Sequence, residues 1–251
     1  MKKFTFNKQF MVLMFLLLNC FASYAADENL ITKQITLNLT EAGTLPNKIA
    51  NSKKDLITNL KIIGEINGTD LRFIREMAGS DVKGNSTSGN LSILDLSEAR
   101  IVEGGYYYDD NGYHCTTSND IIGWYAFSGC SSLTSVNIPS SVTEIGDWAF
   151  DDCSSLTSVN IPSSVTEIGG GAFFSCTSLT SVNIPSSVTE IGERAFSECK
   201  GLKSIYVFAK DVPTIGTGAF DGCDSKNCTL TSLMGHTMHI GYQNLVILKI
   251  L

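Results

Sequence analysis

The sequence is short of the residues and motifs on which most enzymes depend. It contains only three histidines, and it has no G-x-S-x-G elbow, no phosphate-binding glycine loop and no H-E-x-x-H helix. His236 and His239 are spaced H-x-x-H, but no supporting metal ligands accompany them. We therefore predict a protein that is not an enzyme and that has no metal site and no cofactor.

Basic residues are also scarce. The chain has 18 Lys and Arg residues against 25 Asp and Glu residues, for a net charge of −7, and it has no basic cluster. Binding to nucleic acid or to an anionic membrane surface depends on Lys and Arg. The composition therefore predicts that neither is a partner.

Long apolar runs are absent apart from one near the N-terminus. Three lysines precede the run Met11–Leu18, and small residues follow it. This order is typical of a secretory signal peptide, and the run is shorter than the ~20 residues of a membrane span. We predict a signal peptide over 1–25 with cleavage after Ala25, which leaves a net charge of −10 because three lysines are lost. Lipidation at Cys20 is the alternative, and we expect no transmembrane span.

One 14-residue segment occurs three times without change. LTSVNIPSSVTEIG fills Leu133–Gly146, Leu156–Gly169 and Leu179–Gly192, and successive copies begin 23 residues apart. A fixed period of this length is the signature of a solenoid, in which each unit buries its apolar side against its neighbours. The predicted fold is therefore an α/β, right-handed solenoid of 23-residue units.

Each unit has a pattern of three parts. Ser135 and Asn137 alternate with apolar residues, as in a strand with one face exposed. A proline and two serines then predict a turn before the short extended piece V-T-E-I-G. Ala149, Cys153 and Leu156 are spaced i, i+4 and i+7, which predicts a short helix of about two turns.

Five of the eight cysteines recur at one position of the unit. Free cysteine is among the most buried residue types, so the repeat favours a ladder of buried thiols over disulfides. A Cys223–Cys228 bridge is the alternative for the last member. The residues of this cysteine ladder are Cys130, Cys153, Cys176, Cys199 and Cys223.

The repeat, L-x-x-V-x-I-P-x-x-V-x-x-I-G followed by A-F-x-x-C, resembles the BspA-type leucine-rich repeats of bacterial surface proteins. The resemblance is strong over 91–223, and the segment EINGTDLRFIREMAG is similar to the N-terminal region of that family. It implies a leucine-rich-repeat fold, export, and attachment to host or bacterial partners. It brings no catalytic residues with it.

The chain divides around these repeats. We predict an N-terminal capping region of divergent repeats over 26–103, an insertion over 104–121 and leucine-rich repeats over 122–223. The tail, 224–251, loses the repeat spacing. A one-base shift of the reading frame within it permits a tyrosine-rich segment resembling the family's C-terminal cap, so we hypothesise a frameshifted cap.

The insertion is rich in aromatic residues. Tyrosines flank the turn sequence D-D-N-G, which predicts a hairpin. Exposed Tyr and Trp are enriched at binding hot spots, so the hairpin is either the recognition element or a plug for the seam between cap and repeats. The candidate residues are Tyr106, Tyr107, Tyr108, Tyr113, Trp124, Tyr125 and Trp148.

The exposed positions of the repeat strands form a second candidate. They repeat one small polar pair, which suits either a repetitive ligand or a plain spacer surface. They are Ser135, Asn137, Ser158, Asn160, Ser181, Asn183 and Tyr206. We therefore expect an exported, non-catalytic scaffold for protein or glycan recognition, most simply in cell-surface adhesion. The alternatives are a structural spacer or surface-layer component, and an accessory or inhibitory subunit of a surface enzyme.

Overall fold

A computed structural model describes residues 29–109, 114–208 and 213–223, together with the backbone of three later strands. The N-terminal part contains β1 (Ile35–Leu39), α1 (Leu45–Lys48), α2 (Asn51–Lys54), β2 (Asn59–Ile66), α3 (Gly68–Met77) and β3 (Ile93–Ile101). The insertion contributes β4 (Gly104–Asp109) and β5 (Cys115–Thr117). The expected signal peptide over 1–25 lies outside the described residues.

Among the described residues, the repeats contribute four longer and five shorter strands. The longer strands are β7 (Ser135–Asn137), β9 (Ser158–Asn160), β11 (Ser181–Ile184) and β13 (Ser204–Val207). The shorter strands are β6 (Ile121–Ile122), β8 (Glu144–Ile145), β10 (Glu167–Ile168), β12 (Glu190–Ile191) and β14 (Thr214–Ile215). The tail contributes β15 (Thr229–Ser232), β16 (Thr237–Ile240) and β17 (Val246–Lys249).

Two ladders of strands run along the molecule, and their strands pair in parallel except for β15-β16 and β16-β17, which pair antiparallel. The longer strands pair in the orders β1-β2-β3-β7-β9 and β11-β13-β15-β16-β17, and β11 lies beside β9. The shorter strands form one continuous sheet, β14-β12-β10-β8-β6. Residues 23 positions apart face each other, as in the pairs Ser135↔Ser158 and Glu144↔Glu167. The predicted leucine-rich-repeat solenoid is confirmed.

A stack of phenylalanine rings occupies the core beside the A-F-x-x-C motif. Successive rings lie 5.0–5.6 Å apart between centroids and within 9° of parallel. All of these rings are buried, so each repeat covers the apolar surface of the one before it. The stack is Phe127, Phe150, Phe173, Phe196 and Phe220.

The cysteine ladder lies next to this stack. All five of its residues are buried, which confirms the prediction of a ladder of buried thiols. From Cys153 onward, each thiol donates to the backbone carbonyl of the phenylalanine in the preceding repeat, at 3.0–3.2 Å. Cys228, the alternative disulfide partner of Cys223, lies outside the described residues.

The predicted helix at Ala149, Cys153 and Leu156 is wrong. This segment is a series of turns, in which amides bond to carbonyls three residues earlier or to the next repeat. The Trp148 amide, for example, donates to the Gly170 carbonyl at 2.9 Å. The segment therefore has the apolar spacing of a helix, but several of its backbone amides donate to carbonyls of the next repeat instead of along a helix.

Backbone conformation explains why no helix forms. Trp148 and Asp152 have φ values of 57° and 51°, in the left-handed region that no right-handed helix can include. The same two positions are left-handed in the other repeats. They are occupied by Tyr125, Gly171, Arg194 and Gly218 at the first position and by Gly129, Ser175, Glu198 and Gly222 at the second.

Helix α3 begins with a capping box that its own sequence supplies. The Asn67 side chain accepts from the Thr69 amide at 3.0 Å, and the Asp70 carboxylate accepts from the Asn67 amide at 3.0 Å. Asp70 is fully buried and also accepts from the Leu45 amide at 2.8 Å. One carboxylate thus fixes the start of α3 against α1.

No helix among the described residues is long and apolar enough to cross a membrane.

Candidate functional site

The insertion forms a hairpin that packs on α3. Strands β4 and β5 pair antiparallel on either side of the predicted turn. The Tyr106 amide donates to the Thr69 hydroxyl at 3.1 Å, close to the start of α3. Gly68 is buried there, and a Cβ atom at this position would collide with the Tyr106 carbonyl. The backbone of the hairpin therefore lies directly on the helix.

A buried arginine holds the hairpin against the first repeat. Arg75 is 1% exposed, and its Nη2 lies 3.4 Å from Oδ2 of Asp109, at the end of β4. Its Nη1 donates to the Tyr125 carbonyl at 2.6 Å, and Nη2 also donates to the Asp81 carbonyl at 3.2 Å. One guanidinium therefore joins the helix, the hairpin and the first repeat turn. We call this arrangement the arginine joint.

Tyr108, predicted as a ligand-binding candidate, does not lie on the surface. It is 1% exposed, and its hydroxyl donates to the Trp124 carbonyl at 3.1 Å. Burial raises the pKa of the Tyr108 hydroxyl far above its usual range. Tyr108 thus plugs the seam between hairpin and repeats. Its hydroxyl occupies the space beside Gly123, where a Cβ atom would collide with it.

Other aromatic candidates remain exposed. Tyr106 is 69% exposed, Trp124 is 50% exposed and Tyr107 is 37% exposed. The Tyr107 ring makes an edge contact with His114 across the hairpin, with centroids 5.1 Å apart. We call Tyr106, Tyr107 and Trp124 the hairpin surface, because all three lie on the hairpin or on the turn that it contacts.

The three remaining aromatic candidates differ from this group. Tyr125 and Trp148 are half-buried at equivalent left-handed positions of successive repeats. The Trp148 ring packs edge-on against Phe174, with centroids 5.6 Å apart. Tyr113 lies outside the described residues. Trp148 therefore contributes to packing between repeats.

The exposed face of the longer strands carries the predicted polar pairs. Their apolar neighbours point inward and are buried, as the alternation predicts. Ser135, Asn137 and Ser204 are half-buried, and the other members are exposed: Ser158, Asn160, Ser181, Asn183 and Tyr206. The Ser158 hydroxyl lies 3.4 Å from that of Ser135. Along the three repeats of identical sequence, this face carries no charge.

The shorter strands place acidic side chains in register on a different ladder. Glu144 faces Glu167, which faces Glu190. The pKa of Glu167 is raised, first by partial burial and then by the negative charges of the two neighbouring glutamates. No group of three potential metal ligands occurs among the described residues. This acidic ladder gives one flank of the solenoid a negative potential.

Sequence reasoning missed the arginine joint. A signal was available, because Arg75 continues the apolar stripe Leu71, Ile74 and Ala78 on α3. An arginine in such a stripe is buried only if a partner for its charge is supplied from elsewhere. That partner, Asp109, is 34 residues away in a different element, and nothing local connects the two.

Comparison with known proteins places the repeats. Residues 111–235 match the BspA type leucine-rich repeat region in six copies. A leucine-rich-repeat protein of T. pallidum is 39% identical over 41% of this chain and 48% of its own, with a TM-score of 0.40. One from Bacteroides ovatus is 23% identical over 76% and 59%, with a TM-score of 0.39. A leucine-rich cell surface protein of Faecalibacterium prausnitzii is 25% identical over 75% and 46%, with a TM-score of 0.38.

The chain spans about half of the length of these solved structures. No curated protein gives a significant match. The six repeat copies coincide with the stacked strands, the phenylalanine stack and the cysteine ladder described above. Residues 111–235 of this chain are therefore a leucine-rich-repeat region of the BspA type.

Proposed function

We propose that this protein is an exported, non-catalytic adhesion scaffold that binds a protein partner through the hairpin surface. The observation that carries the proposal is the exposure of Tyr106 and Trp124, at 69% and 50%, beside the buried arginine joint. Large aromatic side chains exposed on a rigid support are typical of binding hot spots. The repeats supply that support, as expected of a repeat scaffold for protein binding.

The way in which the hairpin is held favours binding. Tyr108 and Asp109 are buried at one end of β4, while the Tyr106 amide is bonded to Thr69 at the other. The exposed rings of Tyr106 and Tyr107 therefore project from a strand whose backbone is already fixed. A pre-formed surface loses less conformational entropy when a partner binds, which leaves more of the contact energy as affinity.

Export is supported by the sequence. The lysines, the short apolar run and the small residues of 1–25 have the order of a secretory signal peptide. Cleavage after Ala25 would release a chain that begins at Ala26. Lipidation at Cys20 would instead retain the protein at a membrane surface.

The proposal is tested with a variant that removes the hairpin surface. Tyr106→Ser, Tyr107→Ser and Trp124→Ser are combined, and binding to a panel of purified, immobilised extracellular-matrix proteins is measured by biolayer interferometry. We expect wild type to bind at least one panel member and the variant to lose that binding at least about tenfold, because aromatic anchors dominate such interfaces.

A matched control changes the acidic ladder: Glu144→Gln, Glu167→Gln and Glu190→Gln. It should bind like wild type, and thermal unfolding of both variants should stay close to wild type because exposed positions contribute little to stability. Two results contradict the proposal. If wild type and the hairpin-surface variant bind equally, the hairpin surface is not the binding site. If wild type binds no member of the panel, a structural spacer is favoured.

A further inference from the structure

The exposed face of the longer strands carries a row of identical side-chain amides. Asn137, Asn160 and Asn183 occupy the same position in three successive repeats, and Tyr206 occupies it in the next. Asn137 pairs in register with Asn160, and Asn183 pairs in register with Tyr206. We call these three asparagines the amide row.

The side-chain amides of this row make no hydrogen bond with any residue that the structure describes. Nearby threonine hydroxyls behave differently. Thr157 donates to the Thr134 carbonyl at 2.9 Å, and Thr166 donates to the Thr143 carbonyl at 3.2 Å, each reaching the preceding repeat. The repeats therefore use their hydroxyls internally, whereas each amide retains two donors and one acceptor for solvent or a ligand.

Charge is absent from the row, and at its N-terminal end the Asp95 carboxylate is paired with Lys61. In the register of the sheet, the residue before Asn137 is Asp95, and Lys61 lies beside it. Lys61 is 3.4 Å from the Asp95 carboxylate and 2.6 Å from that of Glu98. The acidic ladder on the shorter strands adds negative potential nearby, which disfavours polyanions.

At the C-terminal end the row finishes on an aromatic ring. Tyr206 is 41% exposed and is aligned with the amides of the preceding repeats. A tyrosine ring offers an apolar face together with a polar hydroxyl. Such a face matches the apolar side of a pyranose ring, and side-chain amides match its hydroxyl groups, which both donate and accept hydrogen bonds.

We propose that the amide row and Tyr206 bind a neutral polysaccharide that lies along the solenoid axis. Hydrogen-bonded neighbouring strands, such as β7 and β9 or β11 and β13, are about 4.7–4.9 Å apart. This spacing is similar to the length that one sugar adds to an extended chain, so each repeat meets one sugar. Strand β11 lies beside β9, which continues the row from Asn160 to Asn183. The individual contacts are weak, and affinity comes from their repetition. This site is separate from the hairpin surface and does not depend on the protein partner proposed above.

The test is native affinity electrophoresis of the protein in gels that contain a soluble polysaccharide. Neutral glucans, mannans and galactans form one panel, and polygalacturonate and dextran sulfate form the acidic panel. We expect at least one neutral polysaccharide to retard wild type in a concentration-dependent way. The acidic polysaccharides should not retard it.

Variants locate the site. Asn137→Ala, Asn160→Ala and Asn183→Ala together should raise the dissociation constant at least about tenfold, because three contacts act jointly. Tyr206→Leu should weaken binding because the flat ring is lost. The nearly isosteric Asn160→Asp should also weaken binding, and it serves as the second test if the triple variant is poorly folded. The Glu→Gln control of the acidic ladder should bind like wild type.

Three outcomes overturn the proposal: no neutral polysaccharide retards the protein, only acidic ones do, or the amide-row variants bind as wild type does. The hairpin-surface variant separates the two proposals. Retained polysaccharide binding in that variant supports a site on the amide row, and loss of binding there contradicts it.

Discussion

Removing the charge of Arg75 should loosen the hairpin and destabilise the N-terminal half of the protein. Arg75→Met keeps the length of the side chain but removes the guanidinium that lies 3.4 Å from Asp109. Both side chains are at most 5% exposed. The substitution therefore leaves a carboxylate in a buried position without the cation that compensates it.

The magnitude follows from this burial. Breaking a buried ion pair on one side costs about 3–5 kcal/mol, because the remaining charge cannot recover its hydration. The hydrogen bond from Arg75 to the Tyr125 carbonyl, 2.6 Å long, is lost as well. For a chain of this size we expect the unfolding midpoint to fall by roughly 10 °C.

Tryptophan fluorescence provides a local assay. The chain has only two tryptophans, Trp124 and Trp148. The Trp124 carbonyl accepts a hydrogen bond from the Tyr108 hydroxyl beside the arginine joint. Urea unfolding followed by fluorescence therefore reports on this region, and circular dichroism reports on the whole solenoid. We expect the fluorescence transition of Arg75→Met to move to lower urea than that of wild type.

A double-mutant cycle isolates the pair. Arg75→Met combined with Asp109→Asn removes both charges and should recover part of the loss, with a coupling energy of about 2 kcal/mol. Arg75→Lys keeps the charge but lacks the planar fork, so it should remain destabilised. The reasoning is refuted if Arg75→Met costs less than about 1 kcal/mol, or if the effects of the two substitutions simply add.

Three further predictions concern the repeats. Burial raises the pKa of Asp151 to about 6, so the ionisation of this carboxyl group lowers the stability of the fold as pH rises from about 4 through about 6. Asp151→Asn should therefore raise the free energy of unfolding by about 1 kcal/mol at pH 7.5, after discounting for partial exposure, and should have no effect near pH 4. Urea midpoints at the two pH values measure the difference. Ser175 has a φ of 54°, and Ser175→Gly should raise the free energy of unfolding by about 0.5–1 kcal/mol because glycine adopts this conformation without strain; an unchanged or lower value contradicts the assigned backbone. Burial raises the pKa of Cys130, the first thiol of the cysteine ladder, to about 11. A variant lacking Cys20, Cys115 and Cys228 should therefore not react with a thiol reagent at pH 8 until it is unfolded. Rapid reaction of the native protein would show that the cysteine ladder is accessible.

Part of the candidate site could be predicted from the sequence. The hairpin followed from its turn residues, and the polar face of the strands followed from the alternation around Ser135 and Asn137. Both features depend on neighbours within a few residues, so a local pattern is enough to find them. The aromatic candidates were predicted as a group, and the sequence could not separate the buried Tyr108 from the exposed Tyr106.

By itself, the sequence determined the repeat, its period, and which positions of each unit are buried, because a unit that recurs every 23 residues must pack against copies of itself. The tertiary structure decided the rest. The segment around Ala149 has a helical spacing of apolar residues but forms turns, since its amides find partners in the next repeat. Arg75 and Asp109 each occur once, and their pairing depends on how the cap folds back onto the first repeat. Contacts between equivalent residues of successive repeats can be predicted from the repeat period. The contact between two residues that do not recur, such as Arg75 and Asp109, can be located only in the folded chain.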